Sequence, residues 1–183
     1  MQTQSHHVAL IVVDVQNGFT PGGNLAVAKA DQIIPIINQL AKKFEHIVLT
    51  QDWHPEQHIS FADNHDNKVP FETIELPYGT QVLWPKHCVQ GTHDAEFHPD
   101  LDVPTAQLII RKGFHADIDS YSAFMEADRK TTTGLAAYLK AREIDKAKRE
   151  AQKLIDSAKR KSSEFLLELE KLKKEQKRLI VNN

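Results

Sequence analysis

The first apolar run, residues 8–13 (VALIVV), is unbroken and rich in β-branched side chains, the pattern of a strand buried on both faces. It ends at Asp14, and the turn-forming Asn17-Gly18 and Pro21-Gly22-Gly23 follow. Apolar residues then recur at 33, 34, 36, 37, 40, 41 and 44, which predicts a helix over 31–44. Asp31 would cap it, and Pro35 falls in the first turn, where proline is tolerated. Residues 46–50 (HIVLT) read as a second strand, so the segment is a βαβ unit with parallel pairing. Residues 52–106 read as a long irregular stretch rich in His, Pro and Asp, and such stretches are usually functional. A third strand is expected at 106–110 (AQLII), leading into Arg111-Lys112-Gly113, and a helix at 133–142.

From residue 144 the pattern changes. Ala151, Leu154, Ile155, Ala158, Ser162, Phe165, Leu169, Leu172, Gln176 and Leu179 form one stripe in steps of three and four, with Lys, Arg and Glu on the other faces. That predicts a long amphipathic helix with an imperfect coiled-coil seam, which Ser162-Ser163 could divide into two.

Charge sharpens the division. The net charge of −2 combines 9 Lys/Arg against 17 Asp/Glu up to Leu139 with 14 against 8 from Lys140 onward. All 10 histidines precede residue 116, the last glycine is Gly134 and the last proline is Pro104. Two segments of different physical character are expected. The single cysteine, Cys88, excludes an internal disulfide and suits a reducing compartment. No signal peptide or membrane span is read, so a soluble, cytoplasmic protein is expected. The basic excess of the tail reads as a solvated Lys/Glu surface rather than a nucleic-acid site, since Phe165 is its one aromatic residue.

Parallel strands deliver side chains to one sheet edge, outside which ligands bind. The residues leaving the three strands are Asp14, then Asp52-Trp53-His54, then Lys112. An acid, a ligand-type pair and a lysine on one edge make a candidate active site, although Asp14 alone could equally cap a turn. In Asp52-x-His54 an extended backbone turns a carboxylate and an imidazole toward a common point, and His58 and His87 add imidazoles from the long stretch. One carboxylate with two or three histidines suits a divalent metal: zinc first, then iron or manganese. His65, His93, His98 and His115 read as surface or capping residues.

Four motifs, ALIVVDVQNGF (9–19), TQDWHPEQHISF (50–61), LWPKHCVQGT (83–92) and RKGFHAD (111–117), resemble the nicotinamidases (pyrazinamidases) among the isochorismatase-like cysteine hydrolases. The resemblance covers residues 7–143. It implies a partial, isochorismatase-like (Rossmann-like) α/β fold with a three-layer parallel sheet over 1–143, followed by a charged α-helical tail over 144–183. The tail itself weakly resembles coiled-coil connectors of bacterial MutS-like proteins.

The resemblance also implies roles. Asp14 matches the family's general base and Lys112 its catalytic lysine. Asp52, His54 and His87 match metal ligands, and His58 a histidine that ligates in some members. Phe19, Trp84 and Tyr121 match aromatic walls of a pocket for a pyridine ring, although core packing would account for Phe19 equally. The implied reaction is metal-assisted hydrolysis of nicotinamide, or pyrazinamide, to the acid and ammonia. The family sheet order 3-2-1-4-5-6 implies that the strands read here form its 3-2-1 half. In the family a fourth strand, a glycine turn and the nucleophilic cysteine come next, whereas here the helical tail stands in that place. Cys88 matches a cysteine beside the metal ligand and reads as a small buried residue. Impaired or absent activity is therefore expected, as is self-association through the tail or the open strand edge. A non-enzymatic metal-binding or coiled-coil module, or a chimera needing a complementing chain, is the alternative.

Overall fold

A computed structural model of the chain describes residues 8–144. In chain order the elements are β1 (Ala9–Val12), α1 (Ile34–Ala41), β2 (His46–Asp52), β3 (Thr73–Leu76), β4 (Gly79–Val82), β5 (Leu108–Lys112) and α2 (Leu135–Ala141). Strands β1, β2 and β5 form a parallel sheet in the order β1-β2-β5, and β3 and β4 form a separate antiparallel hairpin.

The middle strand organises the core. Every residue of β2 is buried, and its alternation divides the apolar residues between two layers. Ile47 and Leu49 pack with Ile34 and Ala41 of α1 and with Val12, Val15 and Val103. Val48 packs on the other face with Ile110 and Leu135, where α2 lies. Helix, sheet and helix make the three layers expected from the sequence. Each such aliphatic side chain contributes roughly 1.5–3 kcal/mol on burial, which fixes the register of the strand carrying Asp52.

The first strand is less buried than its composition predicts. Ala9, Leu10 and Ile11 are half-buried, and Val13 is 59% exposed. Leu10 packs on one layer and Ile11 on the other, but among the described residues β1 pairs with β2 alone.

The third strand lies two residues later than expected. Parallel pairing sets Val48 against Leu108 and carries the ladder on to Asp52 against Lys112. The polar Arg111 is accommodated because its guanidinium lies 3.9 Å from the Trp53 ring centroid and its Nε donates to Gln51. Helix α1 is also shorter than expected. Asp31 falls in a 3-10 turn over Ala30–Ile33, the α1 cap is Ile33 without a side-chain bond, and Pro35 sits in the first turn as expected. The stretch 52–106 is not wholly irregular, since Pro77-Tyr78 connects the β3–β4 hairpin. The helix expected at 133–142 is α2, with Gly134 at its N-cap.

Apart from Ile144, the helical tail expected over 144–183 lies outside the described residues. Among the described residues no helix is long and apolar enough to cross a membrane.

Candidate functional site

Asp14 leaves β1 with φ of 50°, a left-handed conformation uncommon for aspartate. Thr50 on β2 holds it there through both its carbonyl and its hydroxyl. The Asp14 amide donates to the Thr50 carbonyl and to Thr50 Oγ1, and Thr50 Oγ1 donates back to Asp14 Oδ1 at 2.5 Å. The carboxylate is thereby turned along the sheet edge toward β5, where Lys112 Nζ lies 2.7 Å from Asp14 Oδ2. The same ammonium lies 2.6 Å from Asp52 Oδ1, so the lysine is held between two carboxylates.

The charges of this buried triad depend on one another. Burial, with Asp52 beside it, raises the Asp14 pKa, while Lys112 opposes the shift. Burial also acts to raise that of Asp52, but its ionic partners, the Lys112 ammonium among them, prevail and hold it well below the usual carboxylate range. For Lys112, burial favours the neutral amine, yet two carboxylates raise its pKa and keep it an ammonium.

Asp52 Oδ2 faces two imidazoles. His54 Nε2 stands 3.6 Å away and His87 Nε2 3.9 Å away, and the three residues bring one donor atom each within 4.8 Å of one another. Their other ring nitrogens are already committed, His54 Nδ1 to the Gly113 carbonyl at 2.9 Å and His87 Nδ1 to the Pro85 carbonyl at 2.8 Å. A carbonyl can only accept, so Nδ1 carries the proton in each neutral ring and the Nε2 lone pairs converge on the carboxylate. Burial lowers the His87 pKa and favours that neutral ring. Lone pairs gathered on an anion, each imidazole oriented by a backbone carbonyl, fit a divalent cation.

His58, the fourth expected ligand, is placed differently. It is fully buried, with Nδ1 2.7 Å from Ser60 Oγ and Nε2 3.2 Å from the Ile118 carbonyl. It belongs to a second trio with His54 and Asp119 rather than to the Asp52 group. Burial and His54 pull its pKa down to about 4. Fully buried Phe61 packs against all three imidazoles, with centroids 5.4–5.6 Å away, and supplies a dry floor.

Asp14, Asp52, His54, His87 and Lys112 open into one cleft of about 290 Å³, and Phe19, Trp84 and Tyr121 line the same cleft. Phe19 lies beside His87, and Trp84 meets Tyr121 edge to face. Of the nine expected site residues, only His58 is absent from the lining.

Cys88 is fully buried and points elsewhere. Its Sγ donates toward the Asp94 carbonyl at 3.6 Å, and its amide donates to Asp94 Oδ2 at 2.7 Å. Burial, with Asp52 next, pushes the thiol pKa up and away from thiolate formation. A side chain at Gly18 would collide with Cys88 and Asp94, so that glycine lets the 17–19 turn close over this loop.

Several contributors were not singled out from sequence. Buried Gln16 accepts from the Asp52 amide at 2.7 Å and donates to the carbonyls of Asp52 and Ala95, clamping the end of β2. Asp119 lines the cleft, accepting from the Ser120 amide and from Gln81 Nε2 at 2.6 Å. No local pattern marks either residue: Val15 and Gln16 are both buried, so alternation does not single out Gln16.

Fold and site together define an α/β protein with a charged, aromatic-walled cleft at the carboxyl edge of a parallel sheet. The chain belongs to the isochorismatase family: the Isochorismatase domain model matches residues 8–148. It is 77% identical over 142 residues to the nicotinamidase of Acinetobacter baylyi, covering 78% of this chain and 66% of that relative. Among solved structures, the Acinetobacter baumanii nicotinamidase/pyrazinamidase superposes with a TM-score of 0.77 at 78% identity, over 78% of this chain and 69% of that one. A Pyrococcus horikoshii pyrazinamidase in complex with zinc gives 0.58 at 40% identity, over 74% and 64% of the two chains. The chain thus spans about two thirds of the length of the relatives it matches.

Proposed function

We propose that residues 1–143 form the metal-binding, general-base part of a nicotinamidase-type amidohydrolase whose substrate is nicotinamide or pyrazinamide. The observation that carries this reading is the convergence of His54 Nε2, His87 Nε2 and Asp52 Oδ2 beside an Asp14–Lys112 ion pair in one cleft. Relatives named nicotinamidase and pyrazinamidase support the substrate class.

Asp52, His54 and His87 would hold a divalent cation, zinc foremost given the Pyrococcus horikoshii relative, with iron or manganese as alternatives. When bound, it supplies a Lewis-acidic anchor for a ring nitrogen. Phe19, Trp84 and Tyr121 would sandwich the ring and exclude water. Asp14 would accept the proton of an attacking nucleophile, and the Lys112 ammonium would hold Asp14 in place and stabilise negative charge developing on the carboxamide oxygen. His58, its ring centroid 4.3 Å from that of His54, forms with His54 and Asp119 a second group able to hold a metal.

Cys88 is the only thiol among the 183 residues, and it faces Asp94. These residues therefore offer Asp14 no thiol to activate, and this chain by itself hydrolyses carboxamides poorly or not at all. A second reading is favoured by the edge of β1, unpaired among the described residues. There a complementing chain, or a second copy of this one, would supply further strands. The amphipathic helix proposed for the tail could mediate such association, and the buried thiol suits a cytoplasmic setting.

The test combines ammonia release from nicotinamide with elemental analysis of the purified chain. One divalent metal per chain and negligible turnover are expected. Absence of metal removes the ligand assignment, and turnover at the rate of a full-length relative removes the reading of impairment.

A further inference from the structure

The ring of Tyr121 is largely exposed, yet its hydroxyl is tied down. Trp84 Nε1 donates to it at 3.0 Å, and Gln81 Nε2 donates to it at 3.0 Å. Gln81 is 1% exposed and comes from β4, an element that carries none of the proposed catalytic or metal-binding groups. Its two amide hydrogens are shared among Tyr121, Asp119 Oδ2 at 2.6 Å and the Val82 carbonyl at 2.7 Å, while Gln81 Oε1 accepts from Tyr78 at 3.2 Å. With both donors pointing at its oxygen, the Tyr121 proton is free to go to the Asp119 carboxylate, whose negative charge beside the phenol pushes its pKa, already raised by burial, to about 12. Asp119 is anchored in turn by the Ser120 amide at 2.8 Å.

Apart from the Val82 carbonyl and the Ser120 amide, every member of this network is a side chain, and they come from three stretches of chain: the hairpin (Tyr78, Gln81, Val82), the loop after it (Trp84) and residues 119–121. Hydrophobic packing cannot do the same work, because an exposed phenol ring has too few neighbours to fix its orientation. Directional bonds at the one buried end of the ring can.

We infer that Gln81, with Asp119, is a positioning residue that locks the Tyr121 hydroxyl and the Trp84 indole into one rigid aromatic wall of the cleft. The clamp makes the β3–β4 hairpin part of the substrate site without touching substrate. It rests on the proposed function only in supposing that the occupant is a planar carboxamide ring. Aromatic walls recognise such a ring through a preset face, so losing the clamp weakens binding while every wall residue remains present.

The experiment uses the full chain with zinc added, in a Trp53→Phe background that leaves Trp84 as the only tryptophan. Gln81→Leu, Tyr121→Phe and the double variant are compared by Trp84 emission and by titration with nicotinamide. Each single variant should red-shift the emission of the ligand-free protein and weaken nicotinamide binding about tenfold, the size of one lost hydrogen bond. The double variant should go little further, because both changes break the same clamp. Tyr121 is exposed, so Tyr121→Phe remains folded even if Gln81→Leu does not, and its emission shift alone reports the Trp84 bond. Unchanged emission in Gln81→Leu or in Tyr121→Phe, or additive effects in the double variant, would overturn the inference. Failure of the parent to bind nicotinamide would instead remove the proposed function, and the emission shifts would still decide the clamp.

Discussion

Lys112 and Asp52 occupy opposed positions in neighbouring parallel strands, and their side chains meet at 2.6 Å at the carboxyl edge of the sheet. The pairing is a consequence of register. Val48 against Leu108 at the buried middle of the two strands dictates Asp52 against Lys112 at their ends. Core packing and site assembly are therefore one event, and a slip of one residue would send the lysine to the wrong face.

The first prediction follows from that burial. Lys112→Met leaves two carboxylates buried side by side without their shared counter-charge. Removing one member of a buried ionic group costs about 3–5 kcal/mol. The urea midpoint of the variant should fall accordingly. A midpoint equal to the parent's would mean that the triad is solvated and that its buried geometry is misread.

How much of this was legible beforehand depended on the kind of signal. Strands β1 and β2 and their parallel pairing could be read because VALIVV and HIVLT are apolar runs separated by a helix-period stripe. Asp14, Asp52, His54 and Lys112 could be located because strand ends are punctuated by a change from apolar to polar. The end of β5 was read two residues short because Arg111 looks like a strand terminator, whereas the Trp53 ring accommodates it across the sheet. Gln81, Gln16 and Asp119 were invisible for a different reason. A buried amide or carboxylate is identified by its partners, and the ones that tie these three residues into the site lie 36 to 79 positions away along the chain. The hairpin was overlooked because its strands are short and half-exposed, with weak alternation.

Gly113 offers a second prediction. Its carbonyl orients His54, its φ of 59° suits glycine, and a methyl group there would collide with the His54 ring. Gly113→Ala should displace the imidazole and lower zinc affinity by about 10–100-fold, the usual effect of losing an outer partner of a ligand. A competition titration with a chelating dye measures it. Zinc affinity identical to the parent's would show that His54 does not ligate.

Reactivity of the single thiol separates a structural cysteine from a nucleophile. Cys88 has no exposed surface and its sulfur faces a backbone carbonyl. An aromatic disulfide reagent should label it slowly in the native protein and at once in urea. Fast native labelling would place the thiol within reach of solvent and reopen its candidacy as the attacking group.

Asp128, which does not line the cleft, gives a pH dependence with a definite sign. Its Oδ1 accepts from the amides of Lys130 and Thr131, and its Oδ2 accepts from Thr131 Oγ1. These bonds favour the ionised form and lower its pKa below the ordinary 3.8. A depressed folded pKa means that the unfolded chain binds the proton first. The stabilisation is therefore complete above the unfolded value and disappears as pH falls through the folded one. A carboxyl-carbon NMR titration should find the Asp128 midpoint below 3.8. In Asp128→Asn the difference in stability from the parent should shrink as pH is lowered through that range. A difference that instead grows toward acid would mean that the turn prefers the neutral acid and that its three donors do not act together.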